Sequence, residues 1–363
     1  MDKKIGIMTF YNTTNYGALL QMLALYRSVR EINDNSDIIR YVCPAVEERE
    51  NLQFTKCRSM KQLARTMILR VPNGNKQKTF RKFEEKNFTF SNYQYDQESL
   101  KSISKEYNAV IVGSDQIWNT NLTGGDSGFY LPGVEGIRKC SYAGSFGSAE
   151  LDKAEYRKIR GYLKDFDVIS VREKTGINIV YNCIGEKPEF VMDPTFLLTA
   201  DEWKKEVNLN IKTRKPYILL YLIQNKKKTI SYAKTIAKRR GWSIKYVNIS
   251  PYHVSGVENI RSASPEEFLN LINGASLVIT GSYHGLALAV NFCKPVYYEL
   301  HEGENNFNTR IESLIEVLGL QACKLDYSSK SLPNIDYEAV QNRLKIQRLH
   351  SKEVLRIIVN GAR

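Results

Sequence analysis

The residues best placed to do chemistry follow a short apolar run. Leu277-Val278-Ile279 leads into Thr280-Gly281-Ser282-Tyr283-His284-Gly285 and then into a helical pattern. Two glycines, a hydroxyl, an aromatic ring and an imidazole therefore stand at a strand-to-helix turn. Free backbone N–H groups and the positive end of the helix dipole make such a turn an anion site. Ser282 suits a helix cap or a donor to a phosphate. His284, in the first turn, suits a phosphate contact or a general acid. The competing account makes Ser282 a plain cap and His284 a structural hydrogen-bonder.

A second turn, Gly113-Ser114-Asp115-Gln116-Ile117-Trp118-Asn119, follows the apolar run Ala109–Val112. Asp115 and Gln116 could grip hydroxyls and Trp118 could stack on a sugar, or the turn could be a capped helix start with a core tryptophan. A third, Tyr11-Asn12-Thr13-Thr14-Asn15-Tyr16-Gly17, is a polar loop after the first strand. It lacks GxGxxG, which disfavours dinucleotide binding. Arg172 follows the run Val168–Val171. It could fork onto a carboxylate or phosphate, or pair with Glu173 or another acid. Asp165-Phe166-Asp167 has the form of a metal-binding DxD but precedes a strand, so it reads as structural.

The elements that must carry these turns alternate in type. Strand patterns lie near Ile5–Phe10, Ile38–Val42, Ala109–Val112, Cys140–Ala143, Val168–Val171 and Glu189–Met192. Helical patterns near Leu19–Glu31, Leu100–Glu106, Ala149–Lys164 and Lys174–Asn182 separate several of them. After Asp193-Pro194-Thr195 the cycle resumes. Strands Tyr217–Leu222, Ser243–Val247, Leu277–Thr280 and Val296–Glu299 alternate with helices 226–240, Pro265–Asn273 and Tyr283–Phe292. Such alternation builds parallel sheets covered by helices. The expectation is an α/β chain of two Rossmann-like domains facing a cleft, GT-B-like in architecture. Residues 1–197 form the first domain, 198–336 the second, and an amphipathic helix over 337–363 crosses back onto the first. Ligands in such sheets sit beyond the carboxyl ends of the strands.

Length and composition agree. The chain has 363 residues, 42% hydrophobic and 25% charged, enough for two cored domains. The start lacks a signal peptide's apolar stretch, and the most apolar segment, Pro216–Ile223, is too short to span a bilayer. Six scattered cysteines (Cys43, Cys57, Cys140, Cys183, Cys293, Cys323) and four histidines (His253, His284, His301, His350) match no zinc or disulfide pattern, which fits a reducing cytoplasm. Net charge is +13, and residues 51–90 hold ten Lys or Arg against two Glu. Within that stretch Met60, Leu63, Ala64, Met67 and Ile68 repeat at helical spacing, with Lys61, Arg65 and Arg70 between them. A basic amphipathic helix suits an anionic membrane surface or glycan carrier, while a solvated face is the plain alternative. No nucleic-acid motif accompanies the charge.

Taken in order, the turns resemble the polysaccharide pyruvyl transferase family across essentially the whole chain. The matching pieces are Asn15-Tyr16-Gly17-Ala18, Gly113-Ser114-Asp115-Gln116-Ile117-Trp118-Asn119, Ser170-Val171-Arg172-Glu173, Asp193-Pro194-Thr195, Thr280-Gly281-Ser282-Tyr283-His284-Gly285 and Asn308-Thr309-Arg310-Ile311. The resemblance implies a GT-B-like enzyme that moves pyruvate from phosphoenolpyruvate onto a sugar, or a lipid-linked oligosaccharide, as a cyclic ketal. It needs neither metal nor bound cofactor and works in the cytoplasm, at the inner face of the membrane. It implies catalytic roles for His284 and Arg172, with Arg172 clamping the donor carboxylate. Donor contacts would come from Gly281, Ser282, Tyr283, Gly285 and Arg310, and acceptor contacts from Asn15, Tyr16, Ser114, Asp115, Gln116 and Trp118. Many members carry arginine where this chain has Ser282, so that contact is absent here or supplied by Arg310. The rival readings are a GT-B glycosyltransferase using a nucleotide sugar and a non-catalytic glycan- or membrane-binding protein.

Overall fold

A computed structural model of the chain describes residues 4–50, 75–209, 215–223, 226–250, 252–301, 308–329 and 331–361. The apolar stripe from Met60 to Ile68 and its basic partners Lys61, Arg65 and Arg70 lie outside the described residues. Among those described, no helix is long and apolar enough to cross a membrane.

Two parallel five-stranded sheets form the frame. The first contains β1 (Ile5–Met8), β2 (Ser36–Tyr41), β3 (Phe90–Tyr95), β4 (Ala109–Val112) and β5 (Arg138–Ser141), in spatial order β3-β2-β1-β4-β5. A short parallel pair, β6 (Ser170–Val171) and β7 (Glu189–Phe190), continues it through the bridges Cys140–Val168 and Gly144–Val171. The second contains β8 (Tyr217–Tyr221), β9 (Ser243–Val247), β10 (Glu258–Ile260), β11 (Leu277–Thr280) and β12 (Val296–Tyr298), in the equivalent order β10-β9-β8-β11-β12. The two domains are Rossmann-like.

Helices α1 (Tyr16–Arg30), α2 (Lys153–Leu163), α3 (Lys174–Ile184), α4 (Lys227–Arg240), α5 (Pro265–Gly274), α6 (Tyr283–Asn291), α7 (Thr309–Leu318) and α8 (Tyr337–Asn360) cover and join the sheets. Their starts follow ordinary capping chemistry. Asn15, Asp152, Ser264 and Ser282 each accept backbone N–H bonds at the helices they open. The central strands β1, β4, β8 and β11 are buried throughout, as continuous apolar runs in parallel sheets require.

Helix α8 ties the halves together. Near its start the Tyr337 hydroxyl donates to the Lys294 carbonyl and Gln341 to the Val290 carbonyl, both in the second half. Near its end Ser351 Oγ accepts from the Met192 N–H, and Arg138 donates to the Ile358 and Val359 carbonyls.

The pattern over Leu100–Glu106 folds as a 3-10 turn, Ser99–Lys105, rather than an α-helix. Two strands that alternation does not reveal, β3 and β10, are the outer edges of the two sheets, where only one side needs apolar cover.

Candidate functional site

The turns singled out by sequence all leave the carboxyl ends of parallel strands, and the two sheets direct those ends at one another. Gly17, at the start of α1, is one point of close approach. A Cβ there would lie 2.0 Å from Nδ1 of His284 in the first turn of α6, so only glycine allows the helix starts to meet. Beside it the Tyr16 ring stacks on Phe268 of α5 at 4.4 Å, and its hydroxyl donates to the Ala263 carbonyl at 3.0 Å.

Behind His284 lies a buried ionic network. Arg172, 3% exposed, donates through Nη2 to Asp115 at 2.8 Å and through Nη1 to Asp193. Asp193, fully buried, also accepts from the N–H and hydroxyl of Thr195 and stands 3.6 Å from His284 Nε2. Burial by itself would raise the Asp193 carboxyl, but the neighbouring His284 and Arg172 outweigh it and hold it well below the ordinary carboxylate range. Burial likewise opposes ionisation of Asp115, and Arg172, His284 and Arg310 together bring it below its ordinary value.

Arg310, in the first turn of α7, differs from Arg172. Both guanidinium groups lie over the Tyr283 ring, at 5.8 Å and 5.1 Å. Arg310 is only half-buried, and among the described residues it has no carboxylate or carbonyl partner. Its burial and the neighbouring Arg172 charge lower its affinity for a proton, a strain that a bound anion would relieve. Among the described residues, buried atoms without a hydrogen-bond partner gather here as well: Arg310 Nε, Thr309 Oγ1, His284 Nε2 and Arg172 Nε.

The geometry corrects several expectations. Arg172 cannot clamp a donor carboxylate with its fork, because Asp115 and Asp193 already occupy both terminal nitrogens. It pairs instead with the two acids beside His284. Trp118 presents no face to a sugar: it is 1% exposed, stacked on Tyr130 at 5.6 Å and donating to the Phe129 carbonyl. Tyr16 and Ser114 are buried in the seam. Asp115 is committed to Arg172, and Asn15 spends its carbonyl oxygen capping α1. Gln116 is half-buried and accepts from Asn119.

Of the donor-side residues, Ser282 caps α6 through the Gly285 N–H at 3.3 Å, and Gly285 allows close passage against Thr280 Oγ1. Gly281 has open room, its nearest neighbour for a Cβ being the Glu299 carbonyl at 3.6 Å. The Asp165-Phe166-Asp167 segment is structural: Asp167 accepts from the Lys139 N–H and Asp165 pairs with its ammonium. Asp193 and Gly17 lie in segments named from sequence, Asp193-Pro194-Thr195 and Asn15-Tyr16-Gly17-Ala18, but the sequence assigns neither a role at the site. An acid between a strand and a proline was the available signal for the first, and nothing local marks the second.

A solved structure shares this architecture. The UDP-GlcNAc 2-epimerase of Methanocaldococcus jannaschii superposes with a TM-score of 0.52 at 13% identity, covering 95% of this chain and 92% of that one. The Neisseria meningitidis UDP-GlcNAc 2-epimerase bound to UDP-GlcNAc gives 0.49 at 13% identity, covering 99% and 94%. The E. coli heptosyltransferase WaaC gives 0.38 at 14%, covering 86% and 99%. The M. jannaschii likeness is one of fold, the GT-B arrangement of two Rossmann-like domains. No curated protein matches the sequence significantly. The family described as polysaccharide pyruvyl transferase matches residues 15–298, from the cap of α1 to the end of β12. That span takes in Gly17, Asp115, Arg172, Asp193 and His284, and the chain belongs to the polysaccharide pyruvyl transferase family.

Proposed function

We propose that the protein transfers pyruvate from phosphoenolpyruvate onto two hydroxyls of a glycan, forming a cyclic ketal. One observation carries this reading: an arginine without a partner among the described residues and an imidazole backed by a carboxylate meet at the first turns of α6 and α7. That is a receptor for a small, highly charged donor with an acid beside it.

In this reading Arg310 and the first N–H groups of α7 take the donor's phosphate. His284, oriented by Asp193, gives a proton to the methylene carbon, and the adjacent carbon becomes oxocarbenium-like. The first sugar hydroxyl attacks that carbon and returns its proton to the imidazole. Phosphate then leaves, and the second hydroxyl closes the ring. One hydroxyl proton ends in the new methyl group and the other on the released phosphate. Arg172 acts through Asp115 and Asp193 as a positioning residue. The acceptor is read as a sugar or lipid-linked oligosaccharide at the inner face of the membrane, with the basic residues of 51–90 other than the buried Lys76 as its surface contact. No metal or bound cofactor is called for.

The test combines binding with turnover. Phosphoenolpyruvate, rather than a nucleotide sugar, should bind the pure protein in a calorimetric titration. Mass spectrometry of lipid-linked sugars incubated with it should then show the pyruvyl increment. His284→Ala should keep its fold and lose roughly 10²–10⁴-fold in turnover, the span of a positioned acid–base group. Binding of nucleotide sugars alone, or near-normal turnover in the folded variant, would defeat the reading.

A further inference from the structure

The helix over residues 75–87 carries a lysine that the catalytic proposal does not use. Lys76 is 8% exposed, and its ammonium stands 4.7 Å from the centroid of the Tyr16 ring and 5.2 Å from that of Phe80. Tyr16 is the seam residue that stacks on Phe268 and meets Tyr221 edge-on at 6.1 Å. Its neighbour Gly17 touches the His284 imidazole. Lys76 is thus set at the meeting of the domains, against the residue next to the candidate acid.

Among the described residues, no carboxylate or carbonyl oxygen accepts from this ammonium. The acid whose charge it feels is Glu50, at the end of the helix Pro44–Glu50. Both Glu50 oxygens are already engaged, Oε1 with the Thr13 hydroxyl and Oε2 with the Thr14 N–H and hydroxyl. Burial pushes the Lys76 ammonium down to about 8, with Glu50 opposing. The enclosed ammonium is faced by ring surfaces, which attract a cation but do not replace an oxygen partner, and none is found for it among the described residues. Arg27, buried to a lesser degree, has its own carboxylate in Glu206.

We propose that Lys76 is an anion subsite at the domain seam, its ammonium taking a carboxylate or phosphate oxygen of a bound substrate, separate from Arg310 and His284. The inference rests on the proposed function in treating the seam as the place where substrates bind. The oxyanion has two sources, the carboxylate or phosphate of the donor and an acidic group on the glycan acceptor. Every charged or titrating group facing this place bears on the test. Glu50 and Tyr16 face Lys76 directly, Glu267 of α5 acts on Tyr16, and Glu84 lies two turns along the same helix. Burial pushes Glu84 up to about 7, so a pH profile needs an arginine variant to assign it.

The experiment is calorimetric titration of the full chain, as wild type, Lys76→Met and Lys76→Arg, with phosphoenolpyruvate, inorganic phosphate and glucuronate. Each is run at about pH 6.5 and about pH 9, either side of the lysine's titration. At least one probe should bind wild type at the lower pH and weaken on going to the higher, where the amine is neutral. Lys76→Met should weaken that binding about tenfold at the lower pH, the usual scale for one charge-assisted contact. Lys76→Arg should restore it and flatten the pH dependence, because guanidinium stays charged. The responding probe identifies the source: phosphoenolpyruvate alone for the donor, glucuronate for an acidic sugar. Failure of all three to bind wild type at millimolar concentration overturns the subsite, as does a folded Lys76→Met that binds like wild type. Should the methionine variant not fold, an arginine variant that keeps the wild-type pH dependence assigns the effect to Glu84 and equally ends the proposal. Lys76-dependent binding of glucuronate or phosphate without any pyruvyl product would sink the proposed reaction and leave the subsite standing.

Discussion

Strands β4 and β11 hold the same place in their sheets, each beside the first strand of its domain, yet the turns that follow do opposite electrostatic work. After β4 the backbone passes through left-handed positions, with φ of 113° at Gly113 and 75° at Asp115. A short helix, Thr120–Thr123, opens only at the end of the turn under the Asn119 cap, and the turn itself delivers a carboxylate. After β11 a helix opens at once under the Ser282 cap and delivers N–H donors and an imidazole. One domain therefore supplies Asp115, Asp193 and the cation that neutralises them, while the other supplies His284 and Arg310, which has no carboxylate partner among the described residues. Equivalent topology sets where a side chain emerges. The first few dihedral angles after the strand decide whether the place attracts anions or cations.

The sharpest way to break this comparison is to remove the cation from the acidic side. Arg172→Ala leaves Asp115 and Asp193 buried and unpaired, and should cost about 3–5 kcal/mol in urea unfolding. Arg172→Lys should cost most of that, because a point charge cannot meet two carboxylates as a planar fork does. Both carboxylates lie below their ordinary value of 3.8 when folded. They therefore stabilise the protein above that pH, and their contribution fades as pH falls through and below about 4. Arg172→Ala should flatten this acid limb. A lysine variant as stable as wild type would show that the fork is not what holds the two acids.

A smaller effect should follow from crowding the point where the two sides touch. Gly17→Ala puts a Cβ against His284 Nδ1, so the imidazole must swing or the helix starts must separate. Turnover should fall about 100-fold, as expected for a misplaced catalytic group. The stability loss should be about 1–3 kcal/mol, typical of overpacking. If kcat is unchanged while stability drops, contact with His284 is structural only.

The smallest effect belongs to the seam itself. Tyr16→Phe deletes the hydroxyl bonded to the Ala263 carbonyl but keeps the ring on Phe268. It should cost about 1 kcal/mol in thermal or urea unfolding, with turnover near normal. A loss as large as that of Arg172→Ala would move the weight of the domain contact from the ionic network to the aromatic stack.

Much of the frame was legible because burial on both faces leaves a plain record. Ala109–Val112 and Leu277–Thr280 are strands with the bounds their apolar runs suggest. The edge strands Phe90–Tyr95 and Glu258–Ile260 were not, since a half-covered edge tolerates polar side chains. Helix α7, which carries Arg310, also escaped notice, as a lone ten-residue amphipathic pattern gives little warning.

At the site, residue type and the strand-to-helix turn alone marked Ser282 and His284 as the opening of a helix suited to anions, because capping and the helix dipole are local effects. Whether a side chain is free to act is a long-range matter. Arg172 and Trp118 have the chemistry of a clamp and a sugar platform, but distant partners decide otherwise: Asp115 and Asp193 fill the arginine fork, and Tyr130 and Phe146 enclose the indole. Arg310, by contrast, has its guanidinium over Tyr283 and no acceptor among the described residues. Spacing along the chain fixes which groups stand at a turn. Only packing across the two sheets decides which of their hydrogen bonds are already taken.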